Sequence, residues 1–319
     1  MSLLDGHPRL LPFPEETAYF PTVRRKYLHA GRETQMRYLM EQAESRLLFA
    51  DTASAGNRDY SSFPRERFRQ DFTTAAQDPA QAKKDLLAVM VEAYAGVMEI
   101  PTDRITRWIE KTPANRYCLE DIRACFPNAR VILTLRDPRA VLAAYLLRKR
   151  RKNLQLSVYD CVSHWRQSAQ VALEAAHQNA WIHVVKFEDL VRDPETQMRA
   201  ICGFLEVDFM PSVLAPTKAG EAWRGNSAVK EKFTEVDTAP ADRWRASLTP
   251  EEIGWVELHC REWMRALGYE PVSEKNDARH WMRKFPEESW NDFFKGRRHS
   301  LRDRLRGRWK MPEKSGIAS

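Results

Sequence analysis

The sequence predicts an α/β fold in which a parallel sheet is flanked by helices, and three observations carry that expectation. Short β-prone runs recur at 105–109 (ITRWI), 131–135 (VILTL) and 182–187 (IHVVKF). Each run leads into a capping residue followed by proline: Thr112-Pro113, Asp137-Pro138 and, after EDLVR, Asp193-Pro194. Behind these junctions lie apolar stripes at helical spacing, such as Met198, Ile201, Cys202 and Leu205. Strand then helix, repeated, calls for parallel neighbours joined by helical crossovers, with ligands gathering beyond the carboxyl ends of the strands.

The junctions start helices because proline's missing N–H falls at a position that has no intrahelical partner anyway, while the Asp or Thr oxygen accepts from the first turn. Further helices are expected at 32–49 (Met36, Leu39, Met40, Ala43, Leu47), 80–98, 156–178 and 250–267. The last opens with the capping box Thr249-Pro-Glu-Glu252. Segment 3–17 reads as the continuation of a helix. No repeat of 20 to 50 residues and no low-complexity tract is found, which removes solenoids and propellers.

Composition sets outer limits. The chain has 319 residues, 43% of them apolar, enough for one large domain over 1–274 with a helical insertion. Residues 275–319 form a separate basic, Trp- and Arg-rich tail. Its end, KGRRHSLRDRLRGRWK at 295–310, reads either as a solvated tail or as a weak peripheral contact with an anionic membrane. Five scattered cysteines lack any C-x-x-C pair, which points to a reduced, cytoplasmic chain. The start has no basic n-region, and no stretch approaches the roughly 18 to 20 apolar residues that span a bilayer. The net charge of +7 suits an anionic ligand, yet 44 acidic residues interspersed among 51 basic ones argue against a nucleic-acid groove. Eight histidines show no ligand spacing, so no metal is expected. Neither a G-x-S-x-G elbow nor a G-x-x-x-x-G-K-[ST] loop is present.

The segment RVILTLRDPRAVLAAY (130–145) carries the most chemistry. A strand delivers Arg136 to the sheet edge, Asp137 and Pro138 begin a helix, and Arg139 sits in its first turn, turned to an anion or to solvent. Guanidinium groups and free backbone N–H donors meet where an anion binds. The bland alternative is a capped helix with two solvated arginines.

This segment resembles the sulfotransferases that use 3′-phosphoadenosine 5′-phosphosulfate (PAPS), in particular the bacterial, carbohydrate and tyrosylprotein types. Their R-D-P-R-x-V-x-x-S-Y strand end matches Arg136 and places Ala144 where the family has serine. Five more stretches follow in the family's order: IEKTPANRY (109–117), VVKFEDLVRDPE (184–195) with FLEVDF (204–209), WRGNS (223–227), RWRASLTPEE (243–252) and LGYEP (267–271). The resemblance implies a P-loop-kinase-like fold, PAPS as sulfate donor, and a hydroxyl or amine acceptor on a small molecule, glycan or lipid. It also implies that Arg136 and residue 144 hold the 3′-phosphate, and that Lys111, Arg139, Arg224 and Gly225 border the cofactor. A hydrogen bond to a charged group is worth about 1.5–3 kcal/mol, so alanine at 144 implies an affinity lower by about one to two orders of magnitude.

LLDGHPRLLPFPEET (3–17) resembles the stretch that follows the phosphosulfate loop in this family, and it matches Glu16 to the catalytic base of the tyrosylprotein branch. A carboxylate suits that role, because the acceptor hydroxyl loses its proton as the sulfuryl group arrives. His7 is expected to pack or cap. No P-R-S-G-T-T appears in the sequence, so the resemblance implies a domain without its first strand and its phosphosulfate loop. A scaffold that binds without catalysing is the alternative reading.

Overall fold

Residues 1–27, 29–43, 63–152, 158–178, 180–218, 220–222 and 241–273 are described by the computed structural model. In chain order they form β1 (Leu10–Pro12), α1 (Arg32–Ala43), α2 (Arg65–Gln77), α3 (Leu86–Val97), β2 (Arg107–Ile109) and α4 (Leu119–Cys125). There follow β3 (Val131–Leu135), α5 (Pro138–Lys152), α6 (Val158–Gln178), β4 (Ile182–Lys186), α7 (Phe187–Arg192) and α8 (Pro194–Leu205). The chain then makes β5 (Thr217–Lys218), β6 (Glu221–Ala222), α9 (Trp244–Ser247) and α10 (Pro250–Ala266). The fold is α/β and mostly helical, with short strands.

The chain divides into two compact units, Met1–Arg130 with Asp193–Val236, and Val131–Arg192 with the chain from Asp237 onward. In the first, β1 pairs in parallel with β2, Leu10 opposite Arg107 and Pro12 opposite Ile109, and the Phe13 N–H extends the ladder to the Ile109 carbonyl at 2.7 Å. Phe13 then packs edge-on against Tyr94 of α3, with ring centroids 5.3 Å apart. Helix α3 is apolar all round (LLAVMVEAYAGV) and nearly all buried, as such a helix must be. Asp85 caps it, accepting from the Leu87 N–H at 3.0 Å and from the Tyr19 hydroxyl at 3.0 Å. Helix α2 turns Phe68, Phe72 and Ala76 inward at i, i+4 and i+8. Burying each of those Phe side chains is worth about 1.5–3 kcal/mol. The chain returns through α8, capped by Asp193, to the antiparallel pair β5–β6.

In the second unit β3 and β4 pair in parallel from Val131 opposite Ile182 to Leu135 opposite Lys186. Helices α5, α6 and α10 bury Leu142, Val162, Trp165, Ala169, Val256, Cys260 and Met264. The Thr249 capping box of α10 forms as its sequence predicts, with Thr249 and Glu252 each accepting from the other's backbone N–H.

Three expectations are corrected. Segment 3–17 does not continue a helix; it makes turns and then β1, because Pro8, Pro12 and Pro14 deny the i→i−4 bonds a helix needs. The runs near 107, 131 and 182 are parallel strands, but β2 takes β1 as its ladder partner while β3 and β4 pair with each other. Thr112 caps no α-helix, since Pro113–Tyr117 is a 3₁₀ turn without a side-chain cap. Helix α2 belongs to the expected helical insertion. Of the expected helix at 32–49, the part beyond residue 43 lies outside the described residues, as does the tail from 275.

Candidate active site

At the carboxyl end of the β1–β2 ladder the sequences P-E-E-T and E-K-T-P face each other. Glu110 follows directly on β2, and its half-buried carboxylate is a hub. Oε1 accepts from the Thr17 N–H at 3.1 Å, the Thr17 hydroxyl at 2.9 Å and the Thr112 hydroxyl at 2.6 Å. Oε2 accepts from the Asn115 amide at 2.6 Å. The Thr112 oxygen in turn accepts from the Ala18 N–H at 3.1 Å. Ala18 has φ 51°, a left-handed conformation uncommon outside glycine, and a six-residue π-helix, Tyr19–Arg24, starts from it.

The two adjacent glutamates take opposite environments. Glu15 is only 4% exposed and pairs with Lys218 of β5 at 2.7 Å. The Glu16 side chain is 32% exposed and pairs with Lys111, itself 45% exposed. Of the two carboxylates, Glu16 is the one an incoming group can reach. Strand alternation explains the matching choice across the ladder: Glu110 and Thr112 face the turn's backbone, and Lys111 between them faces the other way. His7 is buried; its Nδ1 accepts from the Arg9 N–H at 3.1 Å while Nε2 meets the Asp208 carbonyl at 2.8 Å, which fixes the neutral Nε2–H tautomer and a structural role.

The second unit holds the R-D-P-R junction. Asp137 accepts from the Arg139 N–H at 2.8 Å, capping α5, and its own N–H donates to Glu188 Oε1 at 2.9 Å. Tyr269 donates to the other Glu188 oxygen at 3.0 Å, and burial followed by the Glu188 charge raises the Tyr269 pKa. The Arg139 side chain is 4% exposed, not turned to solvent as the sequence predicts. Its Nε and Nη2 donate to Asp137 and its Nη1 to Glu257 at 2.8 Å and to the Glu270 carbonyl at 3.0 Å. The indole of Trp244 stacks 4.1 Å from its guanidinium carbon. Desolvation opposes the charge of Arg139, but Asp137 and Glu257 outweigh it and raise its pKa.

Arg136 is different. Its guanidinium lies 4.5 Å from the centre of the Phe187 ring, and its carbonyl accepts from the Trp165 indole at 2.7 Å. Burial lowers its pKa; Glu188 and Asp137 oppose that shift and the nearby charge of Arg243 adds to it. A cation that loses hydration beside a second cation gains when an anion arrives. Ala144 is exposed on α5.

The sites expected from sequence thus divide. Glu16 and Lys111 come together in one unit; Arg136, Arg139 and Ala144 belong to the other, where Arg139 is absorbed into a buried ion-pair network. Arg224 and Gly225 lie outside the described residues. Sequence patterning does not single out Lys218 or Glu257, whose partners are remote in the chain; for Glu257 the local trace is a charged residue on the apolar face of α10. Among the described residues no cluster of three or more His, Cys, Asp or Glu has the arrangement of a metal site, and no helix is long and apolar enough to cross a membrane.

A model of the sulfotransferase family matches residues 1–211, taking in both junctions. The chain belongs to this family. It is 29% identical over 190 residues to protein-tyrosine sulfotransferase A of Caenorhabditis elegans, covering 55% of this chain and 49% of that protein. Against protein-tyrosine sulfotransferase 1 of Danio rerio it is 32% identical over 180 residues, half of each chain, and against human carbohydrate sulfotransferase 6 it is 25% identical over 188 residues. The chain spans about half the length of the curated relatives it matches. The sulfotransferase domain of the Synechococcus PCC 7002 olefin synthase superposes over 84% of this chain and 89% of its own, with TM-score 0.52 and 21% identity. The sulfotransferase domain from the curacin biosynthetic pathway does so with TM-score 0.50 and 19% identity. At that identity the likeness establishes the sulfotransferase-domain fold.

Proposed function

We propose that this sulfotransferase-family chain transfers a sulfuryl group from PAPS to a hydroxyl or amine of a small-molecule, glycan or lipid acceptor. The observation that carries the reading is the pair of adjacent glutamates, in which Glu15 is buried against Lys218 and Glu16 remains reachable beside Lys111. In the step, the acceptor oxygen bonds to sulfur, the bond from sulfur to the 5′-phosphate oxygen breaks, 3′-phosphoadenosine 5′-phosphate leaves, and the acceptor proton passes to Glu16. Lys111 offers positive charge to the sulfuryl oxygens; within the second unit, Arg136 beside Arg243 suits a phosphate. The reading keeps the P-loop-kinase-like form of the fold and, from the scattered cysteines without a C-x-x-C pair, sets the chain in the cytoplasm.

Two measurements test it. The chain should bind 3′-phosphoadenosine 5′-phosphate saturably in calorimetric titration. With [³⁵S]PAPS and a panel of hydroxyl and amine acceptors it should transfer label, and Glu16→Gln should cut kcat about 10² to 10⁴-fold without weakening nucleotide binding. A Glu16→Gln protein as active as the parent would overturn the base assignment. The exposed Ala144, which offers no hydroxyl, favours a second reading: a family member that binds the nucleotide or acceptor without turnover. Saturable binding with no transfer to any acceptor would select it.

A further inference from the structure

We infer that Glu110 is the positioning residue of the Glu16 turn, acting with Thr112 as a hydrogen-bonded template that fixes residues 17 and 18; its catalytic consequence rests on Glu16 being the base. A carboxylate at the end of β2 takes three donors on one oxygen, all from Thr17 and Thr112, and a fourth from Asn115 on the other. Thr112 relays the contact, its hydroxyl hydrogen spent on Glu110 and its lone pair on the Ala18 N–H. Both backbone N–H groups that follow Glu16 therefore end on side chains of one tripeptide, Glu110-Lys111-Thr112.

A turn with a non-glycine residue at φ 51° persists only where its surroundings over-determine it. Neither neighbouring element supplies backbone acceptors for the N–H groups of 17 and 18; Glu110 and Thr112 do. The middle residue of the tripeptide, Lys111, then meets the Glu16 side chain. One strand end thus holds both the backbone of the turn and the side chain it displays. A charged acceptor is well matched to this task, since hydrogen bonds to an ionised group are shorter and about twice as strong as neutral ones.

The experiment reads the template and its catalytic effect separately in the full chain. In hydrogen–deuterium exchange the Thr17 and Ala18 amides should open about tenfold faster or more in Glu110→Ala, while those of β3 and β4 keep their rates. Thr112→Val, of nearly the same shape, should release Ala18 and leave Thr17 protected, and it keeps the inference open to test if Glu110→Ala does not fold. Glu110→Gln should recover most of the protection, because the Asn115 amide can rotate to accept from the new amide. In PAPS turnover Glu110→Ala should lower kcat at least tenfold with the KM for PAPS within twofold, and should move the acidic limb of the pH profile. Unchanged exchange at 17 and 18, or a kcat loss matched by an equally destabilised Phe72→Leu control with no change in pH profile, would overturn the positioning role. If Glu16→Gln retains activity while exchange at 17 and 18 responds as described, the template stands and the base assignment falls.

Discussion

Two strand ends that read alike in sequence, E-K-T-P after β2 and R-D-P-R after β3, are used in opposite ways. After β2 the outer residues of the tripeptide bind the backbone of a neighbouring turn, and the central lysine remains half exposed with Glu16. After β3 Asp137 and Arg139 are locked in a buried network with Glu257, and the first residue, Arg136, is only partly buried, its guanidinium over the Phe187 ring. The lesson is that charge at such a junction does not announce function. In each case the residues spent on buried partners hold the junction, and the adjacent, less buried one is the candidate for chemistry.

The sharpest way to break that comparison is to remove a buried partner. Glu257 is fully buried and Arg139 nearly so. Glu257→Ala removes one of the two carboxylates that pair with Arg139 and takes the acceptor from the Val272 and Ser273 N–H groups, and should cost about 3–5 kcal/mol of stability in chemical denaturation. The same carboxylate gives a pH signature. Burial, the largest single influence, pushes the Glu257 pKa up, but the hydrogen bonds from Ser273, from the Val272 and Ser273 N–H groups and from Arg139 together hold it below its ordinary 4.5. A depressed folded-state value means its stabilisation is complete above about 4.5 and is lost as pH falls through the lower folded value. Unfolding midpoints measured from pH 6 down to pH 3 should fall in the parent, with that component missing from Glu257→Ala.

A smaller effect separates the two arginines. Arg136→Ala should weaken binding of 3′-phosphoadenosine 5′-phosphate about ten- to a hundredfold, as expected for a lost charged hydrogen bond, with the unfolding midpoint close to the parent. Arg139→Ala should instead destabilise the fold on the scale of Glu257→Ala, and any loss of binding should follow the loss of folded protein. Reversed outcomes would show that the buried arginine is the ligand. Smallest of all, Ala144→Ser at an exposed position of α5 should tighten nucleotide binding by up to about tenfold without altering stability. Weaker binding would mean that residue 144 does not face the phosphate.

The sequence makes the repeating elements legible because each carries a local signal. Strands β2, β3 and β4 are β-branched or aromatic runs before proline junctions, and the α10 capping box is complete within four residues. Strand β1 stays hidden, since three residues among prolines have no periodicity of their own and become a strand only through the ladder with Arg107–Ile109. The same limit governs the site. Glu16, Lys111 and Arg136 stand in recognisable motifs, whereas the fate of Arg139 depends on Glu257, 118 positions away, and that of Glu15 on Lys218, 203 away. No local pattern encodes which of two adjacent glutamates meets that lysine.

The stretch from His7 to Glu15 behaves as a ruler. One end is fastened by the His7 ring to the Asp208 carbonyl, the other by the Glu15 carboxylate to Lys218, so both pins sit on the same returning segment. Between them β1 is held in register by its ladder with β2. Losing one residue from this interval would draw Glu16 into the place of Glu15 at Lys218 and leave Thr17 where a carboxylate should face Lys111. Every residue of the interval except Pro8 and Arg9 is buried, and it should tolerate no change of length: what it preserves is a count of residues, and that count decides which carboxylate is hidden and which is offered.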